Sequence, residues 1–149
     1  MRLAIGCDEA GYALKEVLKE ALAERGLAAT DYGVGAGESA MYPDVAFAVA
    51  KAVARGEHDR AVLICGTGIG VAISANKVKG VRAAQAHDTY SAERAQKSND
   101  AQILCLGARV IGTELAKSIV AAFLDARFEA GRSAPKVARI VAFEEGAVD

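Results

Sequence analysis

The chain has no tryptophan, and aromatic residues make up only 5% of its 149 residues. Because hydrophobic residues still account for 52%, the core must be built from alanine and branched aliphatic side chains, which suits helices packed closely on a sheet. Neither sign of charge is in surplus, since 18 basic and 19 acidic residues leave a net charge of −1. This balance argues against a nucleic-acid partner, which would require an excess of Lys and Arg. The length predicts one domain, residues 1–149.

Cysteine is also scarce. Cys7, Cys65 and Cys105 are an odd number and include no Cys-x-x-Cys pair, so a disulfide framework is not expected and a cytoplasmic location is predicted. No apolar run approaches the roughly 20 residues that cross a bilayer, which predicts no membrane partner. The N-terminal MRLAIGCDE reaches acidic residues too soon for a signal peptide.

Histidine is limited to His58 and His87, which are far apart and form no His-x-x-x-His or Cys–His cluster. The sequence therefore predicts no metal site. His58 stands in a charged connection and is expected to be solvated, whereas His87 follows a predicted strand and a structural role is favoured for it. The nucleophile-elbow sequence of serine hydrolases is absent as well.

Short apolar runs alternate with stretches of helical periodicity along the chain. The clearest buried strand is AVLIC, residues 61–65, which is continuous, branched and stopped by Gly66. Five predicted strands alternate with five helices, which indicates an α/β fold, a three-layer α/β/α sandwich around a five-stranded parallel sheet. The tail after Arg127 has a last helical pattern with little apolar surface of its own, so it is expected to dock on a partner subunit. The predicted strands are 3–7, 28–32, 61–65, 81–86 and 103–106.

Ligands of an open parallel sheet bind beyond the carboxyl ends of the strands, where ICGTGIG (64–70) is the sharpest feature. Glycines at alternate positions between a strand and a helix let backbone N–H groups converge on an anion. The alternative, that they only form a tight turn with close packing, stays open. A phosphate loop is excluded because no Gly-Lys-Ser/Thr follows, and a dinucleotide fingerprint is excluded because Val71 replaces the third spaced glycine.

Cys65 is predicted to be the last residue of the third strand, directly before this loop. A helix N-terminus there would stabilise a thiolate, and the neighbouring amides form a potential oxyanion site. An inert buried cysteine is the competing interpretation, and it is the one favoured for Cys7 and Cys105. We favour a functional role for Cys65 alone.

The sequence resembles the type B ribose-5-phosphate isomerases and the related galactose-6-phosphate and allose-6-phosphate isomerases over nearly its whole length. The similarity is spread over many motifs, which makes it far more specific than one glycine loop. The motifs are GCDEAGYALK (6–15), YPD (42–44), ICGTGIG (64–70), ANKVKGVRAA (75–84), HDTYSA (87–92), ND (99–100), LGARVIG (106–112) and GR (131–132).

This resemblance implies a Rossmann-like domain, assembled as a homodimer or tetramer with active sites between subunits. It also implies a metal-free and cofactor-free aldose–ketose isomerisation of a sugar phosphate, such as ribose 5-phosphate to ribulose 5-phosphate, through a cis-enediol. Cys65 corresponds to the catalytic base and Thr67 to a residue that assists ring opening. The positions implied for the oxyanion and substrate are Asp8, Glu9, Tyr42, Gly66, Gly68, Ile69, Gly70 and Asn99, and those implied for the phosphate are Arg109, Arg132 and Lys136.

Four positions depart from the ribose-phosphate pattern. Glu9, Ser98 and Ser133 stand in place of histidines, and Lys136 stands in place of an arginine. The histidine expected at Ser98 is the one assigned to opening the furanose ring. A tetrose 4-phosphate cannot form a furanose because its 4-hydroxyl is esterified, so it needs no ring-opening acid. A tetrose 4-phosphate or a hexose 6-phosphate is therefore an alternative substrate, and a non-catalytic sugar-phosphate-binding module is an alternative function.

Overall fold

The computed structural model describes all 149 residues, and five parallel strands form its central sheet. The strand order is β2-β1-β3-β5-β4. Strand β2 is therefore added on one side of β1 and the later strands on the other, which makes the boundary between β1 and β3 the topological switch point. The strands are β1 (Leu3–Cys7), β2 (Ala29–Asp31), β3 (Arg60–Cys65), β4 (Ala83–Gln85) and β5 (Ile103–Gly107). The helices are α1 (Tyr12–Glu24), α2 (Tyr42–Ala54), α3 (Ile69–Ala75), α4 (Thr89–Asn99), α5 (Thr113–Asp125) and α6 (Ala134–Glu144), with short 3₁₀ turns at Glu9–Gly11 and Gly131–Ser133.

Two apolar clusters cover the two faces of the sheet, which confirms the predicted α/β/α sandwich. Because side chains alternate along a strand, β3 sends Val62 and Ile64 to a cluster with α1, α4 and α5. It sends Ala61, Leu63 and Cys65 to a cluster with α2 and α3. The second cluster is rich in alanine and valine, which allows these two helices to lie close to the sheet.

Helix α3 is shorter than the helix that the sequence predicts over residues 71–80. The side chain of Asn76 donates to the carbonyl oxygens of Ala72 at 2.9 Å and Ala83 at 2.8 Å, and its Oδ1 accepts the N–H of Ala83 at 2.9 Å. These bonds tie the end of the helix to the first residue of β4. The chain therefore turns into the edge strand where apolar spacing alone predicts more helix.

A buried lysine anchors the segment that leads from β2 toward α2. Lys15 is 2% exposed, and its Nζ donates to the carbonyl oxygen of Val34 at 2.8 Å and pairs with Asp31 at 2.9 Å. Burial alone would raise the pKa of Asp31, but hydrogen bonds from Lys15 and Lys19 outweigh it and hold that pKa below its usual range. The carboxylate is thus kept ionised in the folded protein.

Helix α6 makes few contacts with the rest of its own chain. Val137 is its only buried residue, while Ile140 and Phe143 are 49% and 67% exposed. Near its end, Glu144 accepts the N–H of Gly80 at 2.9 Å. No helix of the protein combines the length and the hydrophobicity needed to cross a membrane.

Candidate active site

Cys65 lies at the carboxyl end of β3, opposite Gly107 of β5. Cys65 is 4% exposed in the single chain, and its Sγ accepts the N–H of Gly68 at 3.2 Å. The sulfur therefore touches the glycine loop itself, and this N–H donor stabilises negative charge on it. Gly68 has a φ of 77°, a left-handed conformation that glycine adopts without strain.

Neighbouring strands fix the loop that follows Cys65. Ala108 donates its N–H to the carbonyl oxygen of Cys65 at 2.9 Å, and Arg109 donates to that of Gly66 at 3.0 Å. From the edge strand, Nε2 of Gln85 donates to the carbonyl oxygen of Thr67 at 2.7 Å. The first part of the loop is thus held by its carbonyl oxygens, which leaves the N–H groups of Gly66 and Thr67 available.

The available N–H groups are the strongest anion-binding feature of the site. Those of Gly66 and Thr67 donate to no group of the chain, and the first turn of α3 leaves the N–H of Gly70 without an intrahelical acceptor. The N–H of Ile69 is different, because it donates to Oγ1 of Thr67 at 3.3 Å. Several unpaired amides beside one sulfur can stabilise an enediolate oxygen.

Two acidic residues follow β1 at the same edge of the sheet. Oδ1 of Asp8 accepts the N–H groups of Ala10 and Gly11 at 3.1 and 3.3 Å, while Oδ2 makes no hydrogen bond within the chain. The exposed Glu9 accepts the N–H of Ala40 at 3.3 Å, so it ties the turn after β1 to the loop before α2. Asp8 keeps one free carboxylate oxygen for a ligand.

Tyr42 and Arg109 complete the part of the site that one chain provides. Tyr42 begins α2, and its ring packs on Gly70 so closely that a side chain there would lie 2.5 Å from Cζ. The guanidinium of Arg109 lies over Gly66 and pairs with no carboxylate. An unpaired cation beside the glycine loop suits an anionic group of a ligand.

The other two cysteines occupy positions without access to a ligand. Burial raises the pKa of Cys7 to about 11. Burial likewise raises the pKa of Cys105, with the nearby Cys65 adding to the effect. Both thiols are therefore kept neutral inside the core, in agreement with the structural role that the sequence favours for them.

Asn99, Arg132 and Lys136 do not join Cys65 within one chain. Asn99 ends α4 at the amino edge of the sheet, where its carbonyl oxygen accepts Nε of Arg82 at 2.9 Å. The tail that carries Arg132 and Lys136 reaches the same edge, because Glu129 donates its N–H to the carbonyl oxygen of Lys97 at 3.1 Å. Strands of five or six residues separate the two edges by about 16–20 Å. Within one chain, the candidate residues are thus divided between two half-sites.

No imidazole is available at either half-site. Nε2 of His87 accepts the N–H of Gly107 at 2.9 Å, and Nε2 of His58 lies 2.9 Å from the hydroxyl of Tyr32. Ser98 accepts Nε of Arg94 at 2.9 Å. No group of three or more His, Cys, Asp or Glu side chains is arranged to hold a metal ion. The bond from Gly107 agrees with the structural role that the sequence favours for His87. The supporting role of Gln85 was not predicted, although a polar residue inside the apolar run 81–86 is a signal for it.

The fold and these residues define a class. A cysteine beside free backbone amides at the end of a parallel strand has the parts needed to move a proton next to a carbonyl group. The protein has no enclosed cavity at this site, and its one small groove lies between α1 and α5. These are the features of an isomerase whose site is open on one side.

Comparison with known proteins identifies the family. The chain matches the family described as Ribose/Galactose Isomerase over residues 3–140. It is 56% identical over 145 residues to the D-erythrulose-4-phosphate isomerase of Pectobacterium atrosepticum, which covers 97% of this chain and 95% of the relative. It is 54% identical over 137 residues to the ribose-5-P isomerase B of Listeria innocua, which covers 92% and 93%.

A solved structure, the ribose-5-phosphate isomerase B of Clostridium thermocellum, superposes with a TM-score of 0.95 at 44% identity, covering 99% of this chain and 100% of the other. The chain therefore belongs to the ribose/galactose isomerase family. The resemblance stated from the motifs is confirmed. The protein is an aldose–ketose isomerase, which decides between the enzyme and the non-catalytic module that the sequence left open.

Proposed function

We propose that the protein interconverts D-erythrulose 4-phosphate and D-erythrose 4-phosphate. One observation carries this choice of substrate: the position assigned to ring opening holds Ser98, whose hydroxyl is engaged by Arg94. Because a tetrose 4-phosphate has no free hydroxyl at carbon 4, it cannot close a furanose ring and needs no ring-opening acid. Ribose 5-phosphate does close such a ring, so only its rare open-chain form would be usable.

The proposed chemistry is a proton transfer between carbons 1 and 2. The Cys65 thiolate takes a proton from carbon 1 of the ketose, and the C–H electron pair forms a carbon–carbon double bond. The carbonyl π pair moves to oxygen 2, where the free amides of Gly66 and Thr67 stabilise the negative charge. The proton is then returned to carbon 2, and the proton of the hydroxyl at carbon 1 passes to oxygen 2. The product is the aldose, with no net change in protons.

The catalytic half-site of one subunit is completed by a second copy of the chain in this proposal. Asn99, Arg132 and Lys136 lie at the amino edge of the sheet, where their own Cys65 is out of reach. Exposed apolar side chains flank both half-sites: Ile69 and Ile73 beside Cys65, and Ile140 and Phe143 on α6. A two-fold dimer that pairs each carboxyl edge with the partner's amino edge would cover both apolar surfaces and form two equal sites.

The closeness of the relatives does not decide the substrate, because the erythrulose-phosphate and ribose-phosphate enzymes named above are 56% and 54% identical to this chain. Ribose 5-phosphate is therefore the second candidate. Lys136 supplies a point charge where the ribose-phosphate pattern has the fork of an arginine. A change in the cation that meets the phosphate is consistent with a sugar of different length.

The deciding experiment compares kcat/KM for D-erythrulose 4-phosphate, ribose 5-phosphate, ribulose 5-phosphate, allose 6-phosphate and galactose 6-phosphate. We expect the tetrose phosphate to be preferred. Ribulose 5-phosphate is included so that the pentose reaction is measured in both directions. A clear preference for ribose 5-phosphate would refute the proposal.

The variant Ser98→His restores an imidazole at the ring-opening position. It is expected to raise kcat/KM for ribose 5-phosphate by up to about 10²-fold, the lower end of the usual contribution of a general acid, and to leave kcat/KM for the tetrose phosphate unchanged. Ser98→Ala is the matched control, because it removes the hydroxyl without adding an acid. Equal effects of the two variants on ribose 5-phosphate would show that ring opening is not what limits this substrate.

A further inference from the structure

A side chain just beyond the edge strand β4 completes the hydrogen bonding of its neighbour β5. Strand β4 ends at Gln85, and the last backbone bond of its pairing with β5 runs from the N–H of Ala86 to Cys105. The next N–H on β5 belongs to Gly107, which is buried. It donates at 2.9 Å to Nε2 of His87, so the imidazole supplies the acceptor that the strand no longer offers.

Gly107 is directly connected to the catalytic loop. It pairs with Cys65 across the sheet, and the two residues after it donate their N–H groups to the carbonyl oxygens of Cys65 and Gly66. Its backbone also lies against Thr67, where a side chain would come within 2.7 Å of the Thr67 carbonyl group. Any shift of Gly107 therefore moves the residues that carry the proposed base and the anion-binding amides.

The bond from Gly107 fixes the protonation state of His87. An imidazole nitrogen that accepts an N–H cannot itself carry a proton, so His87 is neutral with its hydrogen on Nδ1. A second proton would turn Nε2 into a donor facing the buried N–H of Gly107. That N–H would then be left without an acceptor, which is costly inside a protein.

We propose that His87 is a positioning residue for catalysis, which holds Gly107 and the Cys65 loop in place only while its imidazole is neutral. This inference rests on the proposed isomerase function. The inference goes beyond the proposed function because His87 contacts neither the substrate nor Cys65 in the mechanism given above. The expected consequence is that activity falls in acid because protonated His87 releases Gly107, away from the reacting groups.

The charged groups on the surrounding segments keep their charge when the His87 ring is protonated. A hydrogen bond from Ser91 holds the pKa of the adjacent Asp88 below its usual range, so this carboxylate stays ionised. Arg109 on the loop after β5 is always cationic, and Glu114 in the first turn of α5 pairs with Lys117 at 2.9 Å. Protonation of His87 itself is therefore the change that would break the hydrogen bond from Gly107.

The test compares pH profiles of kcat/KM for wild type, His87→Ala and His87→Gln. Glutamine has an oxygen that can accept the Gly107 N–H and does not titrate. We expect His87→Ala to lose about tenfold or more where the wild-type imidazole is neutral, because the buried N–H of Gly107 is left unpaired. In acid the difference from wild type should shrink, since wild type loses the same bond there. We expect His87→Gln to recover most of that loss. Its kcat/KM should also fall less in acid than that of wild type, because glutamine is not protonated there.

Gln85→Leu is the matched control, because it removes the other hydrogen bond from the end of β4 to the active site. It should lower kcat/KM without changing the shape of the pH profile, since an amide does not titrate. An acid limb that is identical in wild type and His87→Gln would overturn the proposal. Full activity of a folded His87→Ala would also overturn it.

A second measurement does not depend on activity. The amide resonance of Gly107, followed by NMR as the pH is lowered, should shift when the His87 ring is protonated in wild type and stay constant in His87→Gln. A Gly107 amide whose chemical shift does not respond to protonation of His87 would overturn the inference. A shifting resonance in a protein that converts none of the sugar phosphates would support the bond and refute the proposed function, so the two failures are distinguishable.

Discussion

Replacing Gly70 by alanine places a methyl group against the ring of Tyr42. The new Cβ would lie 2.5 Å from Cζ of the ring, whereas carbon atoms in contact are normally about 3.5–4.0 Å apart. The ring must therefore withdraw by about 1 Å or more. Tyr42 is 40% exposed, so its side chain can move outward without opening the core.

The structure predicts opposite effects of this change on stability and on activity. Gly70 is the second residue of α3, and alanine in place of glycine in a helix stabilises by about 0.5–1 kcal/mol. A displacement of about 1 Å near reacting atoms costs about 10²-fold in rate. We therefore expect kcat/KM for D-erythrulose 4-phosphate to fall about 10²-fold while Tm stays the same or rises slightly.

A double-mutant cycle with Tyr42→Ala isolates the cause. If the methyl group acts by displacing the ring, Gly70→Ala has little further effect once the ring is absent, and the two changes are strongly non-additive. Coupled steady-state kinetics and thermal denaturation are measured on all four proteins. Additive losses, or a Gly70→Ala variant with nearly normal kcat/KM, would refute the prediction that the position of the Tyr42 ring controls the reaction.

Two further predictions test the base and the anchored loop. Cys65→Ala and Asn99→Ala should each abolish exchange of the carbon-1 proton with solvent. A refolded mixture of the two variants should regain part of the activity, because a mixed dimer carries both changes in one shared site and keeps the other site intact. A mixture that stays inactive would contradict the shared site. Lys15→Met should destabilise the protein by about 2 kcal/mol, because it leaves the Val34 carbonyl unpaired, and lower Tm by about 4–8 °C. The low pKa of Asp31 stabilises the fold above the usual carboxyl range and this contribution is lost as pH falls through the lowered value, so urea titrations should show a smaller acid effect in Lys15→Met.

The sheet and its order of elements follow from local signals in the sequence. The run AVLIC at residues 61–65 lies within β3, and the helix predicted to open at Pro43 begins at Tyr42. Boundaries were less accurate where a side chain competes with the backbone. Asn76 ends α3 early by bonding to Ala83, and nothing in helical spacing reveals a partner that lies seven residues further along the chain.

The half of the candidate site at the carboxyl edge could be predicted from the rule that ligands bind where parallel strands end. Asp8, Cys65 and Arg109 each follow or end a predicted strand, and the structure brings them to one edge of the sheet. Asn99 and Lys136 were predicted as site residues only because of the family resemblance. Their separation from Cys65 depends on the direction of α4 and on the path of the tail, which no local pattern records.

In the proposed dimer, the chemistry and the choice of substrate depend on opposite edges of the sheet. The base and the amides are fixed by β3, β5 and the end of β4, whereas Ser98, Asn99 and Lys136 belong to α4 and the tail of the partner. Substitutions in α4 or the tail can therefore change which sugar is accepted without moving Cys65 or its loop. This separation explains how relatives of nearly equal similarity, 56% and 54% identical to this chain, carry the names of tetrose- and pentose-phosphate enzymes. It follows that the substrate has to be inferred from single positions such as Ser98, and that exchanging this residue is a more direct test than any measure of overall identity.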